Sequence, residues 1–228
     1  RVEGDARLTM EDLLTALSSK TQAKADRTAE VAAQKTQRSE DIIKVEPQGE
    51  LLEAVRRALP EDSILISGMT QLGYYSRAHY PVYEPRTFIT SSYSGNLGYA
   101  YPTALGAKVA QPDKAVVCLS GDGGFMFNSQ EMSTAVAHNI NVVVVVFNDN
   151  AYGNVKRDQM NQFNGRTIGA DLHNPDFVKL AEAYGARGFL ANGPAELEAT
   201  LKKALTLDAP VLIEVPVGPM PSPFFKAP

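Results

Sequence analysis

From Pro47 onward, short apolar runs alternate with helically spaced ones. Leu51, Leu52, Val55 and Leu59 recur at helical intervals and predict a helix. Ser63–Ile66 reads as a short strand, and a helix follows through Tyr74–His79. Thr87–Thr90 is a second strand, Tyr101–Ala110 an Ala-rich helix, and Ala115–Leu119 a third strand. Gln130–Ala137 is helical and Val142–Phe147 is a fourth strand. Phe177–Tyr184 is helical, Arg187–Leu190 a fifth strand, Glu196–Leu205 a helix and Val211–Val215 a sixth strand. Short, wholly apolar strands that alternate with helices predict an α/β fold with three layers, α/β/α, around a mainly parallel six-stranded sheet. In such sheets ligands bind at the carboxyl ends of the strands. No internal repeat is present.

The first 45 residues have a different pattern. Leu8, Leu13, Leu14 and Leu17 share helical spacing over one short stretch. Ser18–Lys44 is rich in Lys, Gln, Thr, Ala and Glu, which cannot build a core and reads as a linker or an exposed helix. Residues 1–46 are therefore separated from a main domain at 47–217, with a tail at 218–228.

With 44% hydrophobic residues in 228, the chain reads as globular rather than disordered. A net charge of −4 and the lack of a basic stripe argue against nucleic acid as a partner. The longest uninterrupted apolar run, Val142–Phe147, is far too short to span a bilayer. The single cysteine, Cys118, excludes an internal disulfide and a thiolate metal cluster. No N-terminal signal sequence appears in a chain that starts at Arg1 without a Met, and the cytoplasm is the simplest compartment expected.

Two turns carry the chemistry. The strand Ala115–Leu119 ends in Ser120-Gly121-Asp122-Gly123-Gly124. The glycines allow tight turning and close approach of backbone N–H groups to an anion, and the N-terminus of the following helix favours a phosphate. The strand Val142–Phe147 ends in Asn148-Asp149-Asn150-Ala151-Tyr152-Gly153, one crossover later. Two carboxylates at neighbouring strand ends, beside a diphosphate, suggest a bridging hard cation such as Mg²⁺. Asp149 alone also suits a helix cap, but its place after a buried strand favours the metal reading.

The string GDGGFMFNSQEMSTAVAHNINVVVVVFNDNAYG at 121–153 resembles the thiamine-diphosphate enzymes of the acetolactate-synthase and pyruvate-decarboxylase group. Upstream, Glu84-Pro85-Arg86, Gly95-Asn96-Leu97-Gly98-Tyr99 and Pro102-Thr103-Ala104-Leu105-Gly106-Ala107 fall in that family's order and spacing. Downstream, the resemblance runs through Leu172-His173-Asn174-Pro175-Asp176-Phe177 to the last strand. It implies that Asp122, Asp149 and the carbonyl of Ala151 hold Mg²⁺. The family more often has Asn where Asp149 stands, so this site gains negative charge, which strengthens cation binding. The resemblance further assigns the diphosphate turn to Gly123 and Gly124, beside Gly121 of the same cofactor-binding run, an aminopyrimidine contact to Gly95, and the wedge that bends the cofactor to Leu97. Asn96, Tyr152 and Gly153 fall inside the matched motifs and complete the expected cofactor-binding set. Leu97 also reads as plain core, and Gln71 reads equally as a diphosphate contact or a solvent-facing helix residue.

By the same resemblance, the chain is the cofactor-binding part of a 2-oxo acid carboligase or decarboxylase, with thiamine diphosphate supplying the reactive carbon. The glutamate that activates the cofactor belongs to a separate pyrimidine-binding domain, so no catalytic residue is expected in this chain, and the chain alone is expected to be inactive. Gly4-Asp5-Ala6 before a helix resembles the end of the family's central domain, so the chain reads as the C-terminal third of a longer enzyme. Use of a flavin (FAD) by the parent is left open, because that site lies outside the matched region. An apolar face that would meet the pyrimidine domain predicts self-association, as a homodimer or homotetramer. Val155 and the absence of Trp set the substrate pocket apart from both named relatives.

A second reading is a non-catalytic module that binds the cofactor or scaffolds an assembly. A dinucleotide-binding dehydrogenase is disfavoured, because Gly121–Gly124 lacks the G-x-G-x-x-G spacing. His79, His138 and His173 are isolated and read as structural or surface residues. Tyr74 and Tyr75 read as packing residues, Cys118 as a small hydrophobe, and Lys156 and Arg157 as a solvated helix face.

Overall fold

Strands that are apolar along their whole length need cover on both faces, and among the described residues helices supply it on either side of one sheet. The structure, a computed structural model, describes residues 4–18, 20, 26–43, 45–91 and 94–222. In chain order the described elements are α1 Ala6–Leu17, α2 Thr28–Ile43, α3 Gln48–Ala58, β1 Ile64–Ser67, α4 Gln71–His79, β2 Phe88–Thr90, α5 Ala100–Ala110 and β3 Val116–Gly121. They continue with α6 Asp122–Met126, α7 Glu131–Ala137, β4 Val143–Asn148, α8 Gly153–Gln162, α9 Phe177–Tyr184, β5 Arg187–Leu190, α10 Pro194–Ala204 and β6 Val211–Pro216. No helix among the described residues is long and apolar enough to cross a membrane.

The chain divides into two compact units, residues 1–38 and 39–228. In the first, Asp5 caps α1 by accepting the N–H of Leu8 at 3.0 Å. Leu8, Leu13, Leu14 and Leu17 are all exposed. The stretch read as linker or exposed helix contains α2, whose described side chains are exposed.

In the second unit all strand pairs are parallel, in the order β2-β1-β3-β4-β6-β5. Alternate strand residues face opposite layers. Leu65, Val117, Leu119, Val145 and Ile213 pack under α3, α4 and α10. Ile66, Cys118, Val144, Val146 and Leu212 pack under α5, α7 and α9, with Phe125 of α6. The interior strands are buried almost throughout, whereas the edge strand β5 is partly exposed. Asp176 caps α9 by accepting the N–H of Lys179, and Gly185 ends that helix with a left-handed φ of 88°.

Topology locates the ligand end. From β1 the chain crosses to β2 on one side, and from β3 it crosses to β4 on the other. The crevice beyond the carboxyl ends of β1 and β3 is thus a topological switch point, where open parallel sheets bind ligands. Gly73 lets α4 close down onto this crevice, since a Cβ there would sit 2.0 Å from the carbonyl oxygen of Gly68.

The fully buried ring of Phe177 meets the ring of Phe125 edge-on at 6.0 Å, anchoring the short helix that begins at Asp122. Phe177→Ala is expected to lower unfolding free energy by about 3–5 kcal/mol. A shift in the urea midpoint at unchanged m-value measures this.

Candidate functional site

The turns that leave β1, β3, β4 and β6 converge on one cavity of about 290 Å³, near the lower end of small-molecule pockets at roughly 300–1,000 Å³. β1 contributes Met69, Thr70 and Gln71, with Tyr74 one helical turn on. β3 contributes Gly121, Asp122, Gly123 and Gly124. β4 contributes Phe147, Asp149, Ala151, Tyr152 and Gly153, followed by Asn154 and Val155 of α8. Val217 and Met220 follow β6, and Gly95 and Leu97 come from the loop before α5. Of the residues expected at a cofactor site, only Asn96 is absent from the lining, and it is exposed.

Backbone polarity around the cavity favours an anion. The first residues of α4, α6 and α8 all line it, and the leading N–H groups of a helix have no partner inside that helix. The helix expected after the glycine turn is split: α6 lasts five residues, and α7 begins only at Glu131. Side chains are kept out of the turns by contact. A Cβ on Gly123 would lie 2.5 Å from the Tyr152 ring, and one on Gly153 would lie 2.2 Å from Asp149 Oδ2. Leu97 Cδ2 comes within 3.7 Å of the Cβ position of Gly124, so this side chain leans over the glycine turn.

The two aspartates face one another. Asp122 is 2% exposed, and burial raises its pKa, opposed by the N–H of Gly123 and the Asn174 amide. Burial, with the Asp122 charge beside it, pushes the Asp149 carboxyl from 3.8 up to about 6. Asp149 caps no helix: its Oδ1 accepts the N–H of Ala151 at 3.3 Å, and α8 starts without a side-chain cap. Ala151 pairs with Asp171 in an isolated antiparallel bridge. That bridge uses Tyr152 N–H to Ala170 O and Leu172 N–H to Asn150 O, both 2.8 Å. In this pattern the N–H and C=O of Ala151 point away from Asp171, and the N–H meets Asp149. Two carboxylates and a carbonyl are hard oxygen donors, which suit Mg²⁺. Among the described residues no group of three or more His, Cys, Asp or Glu side chains forms a metal cluster, so any cation here relies partly on backbone and ligand oxygens.

Several residues differ from their sequence reading. Gln71 is 7% exposed and lines the cavity, which removes the solvent-facing alternative. Leu97 is 37% exposed, so it is not plain core. Tyr75 is a buried packing residue as expected, but Tyr74 lines the cavity. Arg157 is not a solvated face residue: it donates to Gln71 Oε1 at 2.7 Å, to the carbonyl of Met220 at 3.3 Å and to Asn154 Oδ1. Nothing in the sequence signals this contact, which joins α8 to α4. Lys156 pairs with exposed Asp171 instead. Asn174 donates to Asp122 Oδ2 at 2.6 Å and to Asn148 Oδ1 at 2.9 Å. Its signal was its place just before Pro175 and the capping Asp176. His79 and Cys118 are buried, and burial pushes the Cys118 thiol up.

Residues 68–215 match a family described as "Thiamine pyrophosphate enzyme, C-terminal TPP binding domain". The acetolactate synthase large subunit of Haemophilus influenzae is 39% identical over 171 residues, covering 75% of this chain and 29% of that protein. The sulfoacetaldehyde acetyltransferase of Castellaniella defragrans is 32% identical over 156 residues, covering 68% of this chain and 26% of that protein. Among solved structures, the thiamine diphosphate-dependent 4-hydroxybenzoylformate decarboxylase of Rhodococcus jostii RHA1 superposes with a TM-score of 0.68 at 32% identity. That match covers 74% of this chain and 32% of the decarboxylase. The chain belongs to the thiamine pyrophosphate enzymes and carries their C-terminal cofactor-binding domain, of the acetolactate-synthase-like kind. It spans less than a third of the length of these relatives.

The raised Asp149 pKa has a thermodynamic sign. The folded state binds this proton more tightly than the unfolded state, so the ionised form costs stability above pH 6. That cost fades as the pH falls through about 6 towards 3.8. Without divalent cations, Asp149→Asn is expected to melt above wild type at pH 7–8, with the gap closing below about pH 4. Melting midpoints across pH in EDTA check this, and an equal gap at every pH would refute it.

Proposed function

We propose that this chain binds the diphosphate and cation of thiamine diphosphate within a Mg²⁺-dependent enzyme that decarboxylates or ligates 2-oxo acids. The observation that carries this reading is the pair of facing carboxylates, Asp122 and Asp149, whose mutual repulsion is relieved by a cation placed between them. When bound, thiamine diphosphate supplies the nucleophilic carbon and the electron sink.

The chain's own residues divide the remaining work. Asp122, Asp149 and the Ala151 carbonyl hold the cation. Gly121, Gly123 and Gly124 present backbone N–H groups to the diphosphate, with Gln71 steered to the same end by Arg157. Tyr152 and Gly153 shape the wall beside Asp149. Gly95 and Leu97 form the opposite wall, where Leu97 restricts how an extended ligand can lie. The only carboxylates in the described lining are Asp122 and Asp149, both at the cation end, and no glutamate lines it. In this reading, which rests on the family resemblance, the activating glutamate comes from a pyrimidine-binding domain and the chain is expected to be inactive without it. Leu97 and Val155 line the cavity yet remain 37% and 49% exposed, which suits cover by a second protein surface in a homo-oligomer.

Calorimetric titration with thiamine diphosphate should show binding in Mg²⁺ and none in EDTA. Asp122→Ala and Asp149→Ala should each weaken it by more than the roughly 10–100-fold typical of losing an outer-shell partner. Equal binding in EDTA, or preference for a nicotinamide dinucleotide, would overturn the assignment. The pure chain should release no carbon dioxide from 2-oxo acids; measurable turnover would remove the need for a second domain. Gly153→Ala, which forces Asp149 Oδ2 to move, should weaken Mg²⁺-dependent binding while leaving the far-ultraviolet spectrum unchanged.

A further inference from the structure

Asn174 lies outside the cavity lining yet touches both turns of the cation site. Its amide nitrogen is 2.6 Å from Asp122 Oδ2, 2.9 Å from Asn148 Oδ1 and 3.4 Å from Asn150 Oδ1. Asp122 follows β3, whereas Asn148 and Asn150 belong to the turn at the end of β4. One carboxamide thus ties together two strand ends that carry the two carboxylates. All three neighbours are acceptors, so the amide must present its N–H groups to them; the reversed orientation would set oxygen against oxygen. With donors facing inward, Asn174 has no lone pair to offer a cation there.

Its own position is fixed on both sides. Upstream, the Ala151–Asp171 bridge stitches the segment to the β4 turn. Downstream come Pro175 and Asp176, the latter capping α9, whose Phe177 is fully buried. Asn148 is held in turn, donating to Glu214 Oε1 of β6 at 2.7 Å and accepting the N–H of Asn150 at 3.1 Å. The contact network around Asn174 is therefore built from rigid elements rather than from a free loop.

We propose that Asn174 is a positioning residue of the cation site: by bonding Asp122 and Asn148 together, it sets the spacing of Asp122 and Asp149 before the cation arrives. This rests on the reading of those aspartates as the cation ligands. Ligands held in place by outer partners bind more tightly because less ordering is left to the metal, and loss of such a partner typically costs about 10–100-fold in affinity.

The test titrates Mg²⁺ alone into the full chain by calorimetry, for wild type, Asn174→Ala and Asn174→Leu, the last of similar size but without donors. Melting midpoints in EDTA accompany each titration. The proposal expects Mg²⁺ affinity to fall about 10–100-fold in whichever variants fold, with cation-free midpoints near wild type. Variants that melt lower but bind Mg²⁺ as tightly as wild type would show a merely structural role and overturn it. Wild type that binds no Mg²⁺, even with thiamine diphosphate present, would overturn the cation site and the positioning role together. Binding by wild type and variants alike would overturn the positioning role only.

Discussion

The parallel pairing of β3 with β4 is the constraint on which the rest of the site depends. Their register sets Gly121 beside Phe147, so Asp122 and the Asn148–Asn150 turn leave the sheet at one level. Parallel strands reached by one crossover bring both chain ends out on the same side, which no hairpin could do. Two acidic turns that follow apolar strands are thereby pressed together at the rim of a covered sheet. The other site features follow from this level: the bridge from Ala151 to Asp171, the bond from Asn148 to Glu214, and the approach of α4 from β1.

That arrangement conflicts with stability. Burial raises both carboxyls, the Asp122 charge further disfavours ionisation of the partly buried Asp149, and only a few N–H donors offset the loss of water. A protein optimised for stability alone would replace one of them. On the proposed cation site the favourable partner is external, which would link ligand and fold thermodynamically. The same reasoning explains the small residues nearby. Where Asp149 needs the space above Gly153, any larger residue would displace the carboxylate.

Much of this was legible in the sequence, for reasons tied to particular residues. Runs such as Val142–Phe147 are apolar on both faces, so their burial and the sheet's parallel character could be read directly. The glycine turn after β3 stood out because Asp122 is polar where a buried strand ends. Helix α8 did not stand out. It opens on Gly153, and its sequence GNVKRDQMNQ is polar, without buried residues and with only a weak apolar stripe. Its importance comes from Arg157, which reaches Gln71 across 86 positions, a contact with no local signature. Asn96 is a different case. Membership of a matched string suggested contact, but the loop containing Gly95 and Gly98, both with left-handed φ, leaves it exposed outside the lining.

The place of β6 has a consequence for how the molecule comes into being. β6 lies between β4 and β5, and among the described residues β5 pairs with no other strand. As the chain leaves the ribosome, β5 therefore emerges with nothing to join, and the outer edge of β4 stays open until β6 follows. Only then does Glu214 reach Asn148, and only past that strand do Val217 and Met220 arrive to line the cavity. Closing the sheet and adding the last described residues of the cavity lining both wait for nearly the last stretch of the described chain.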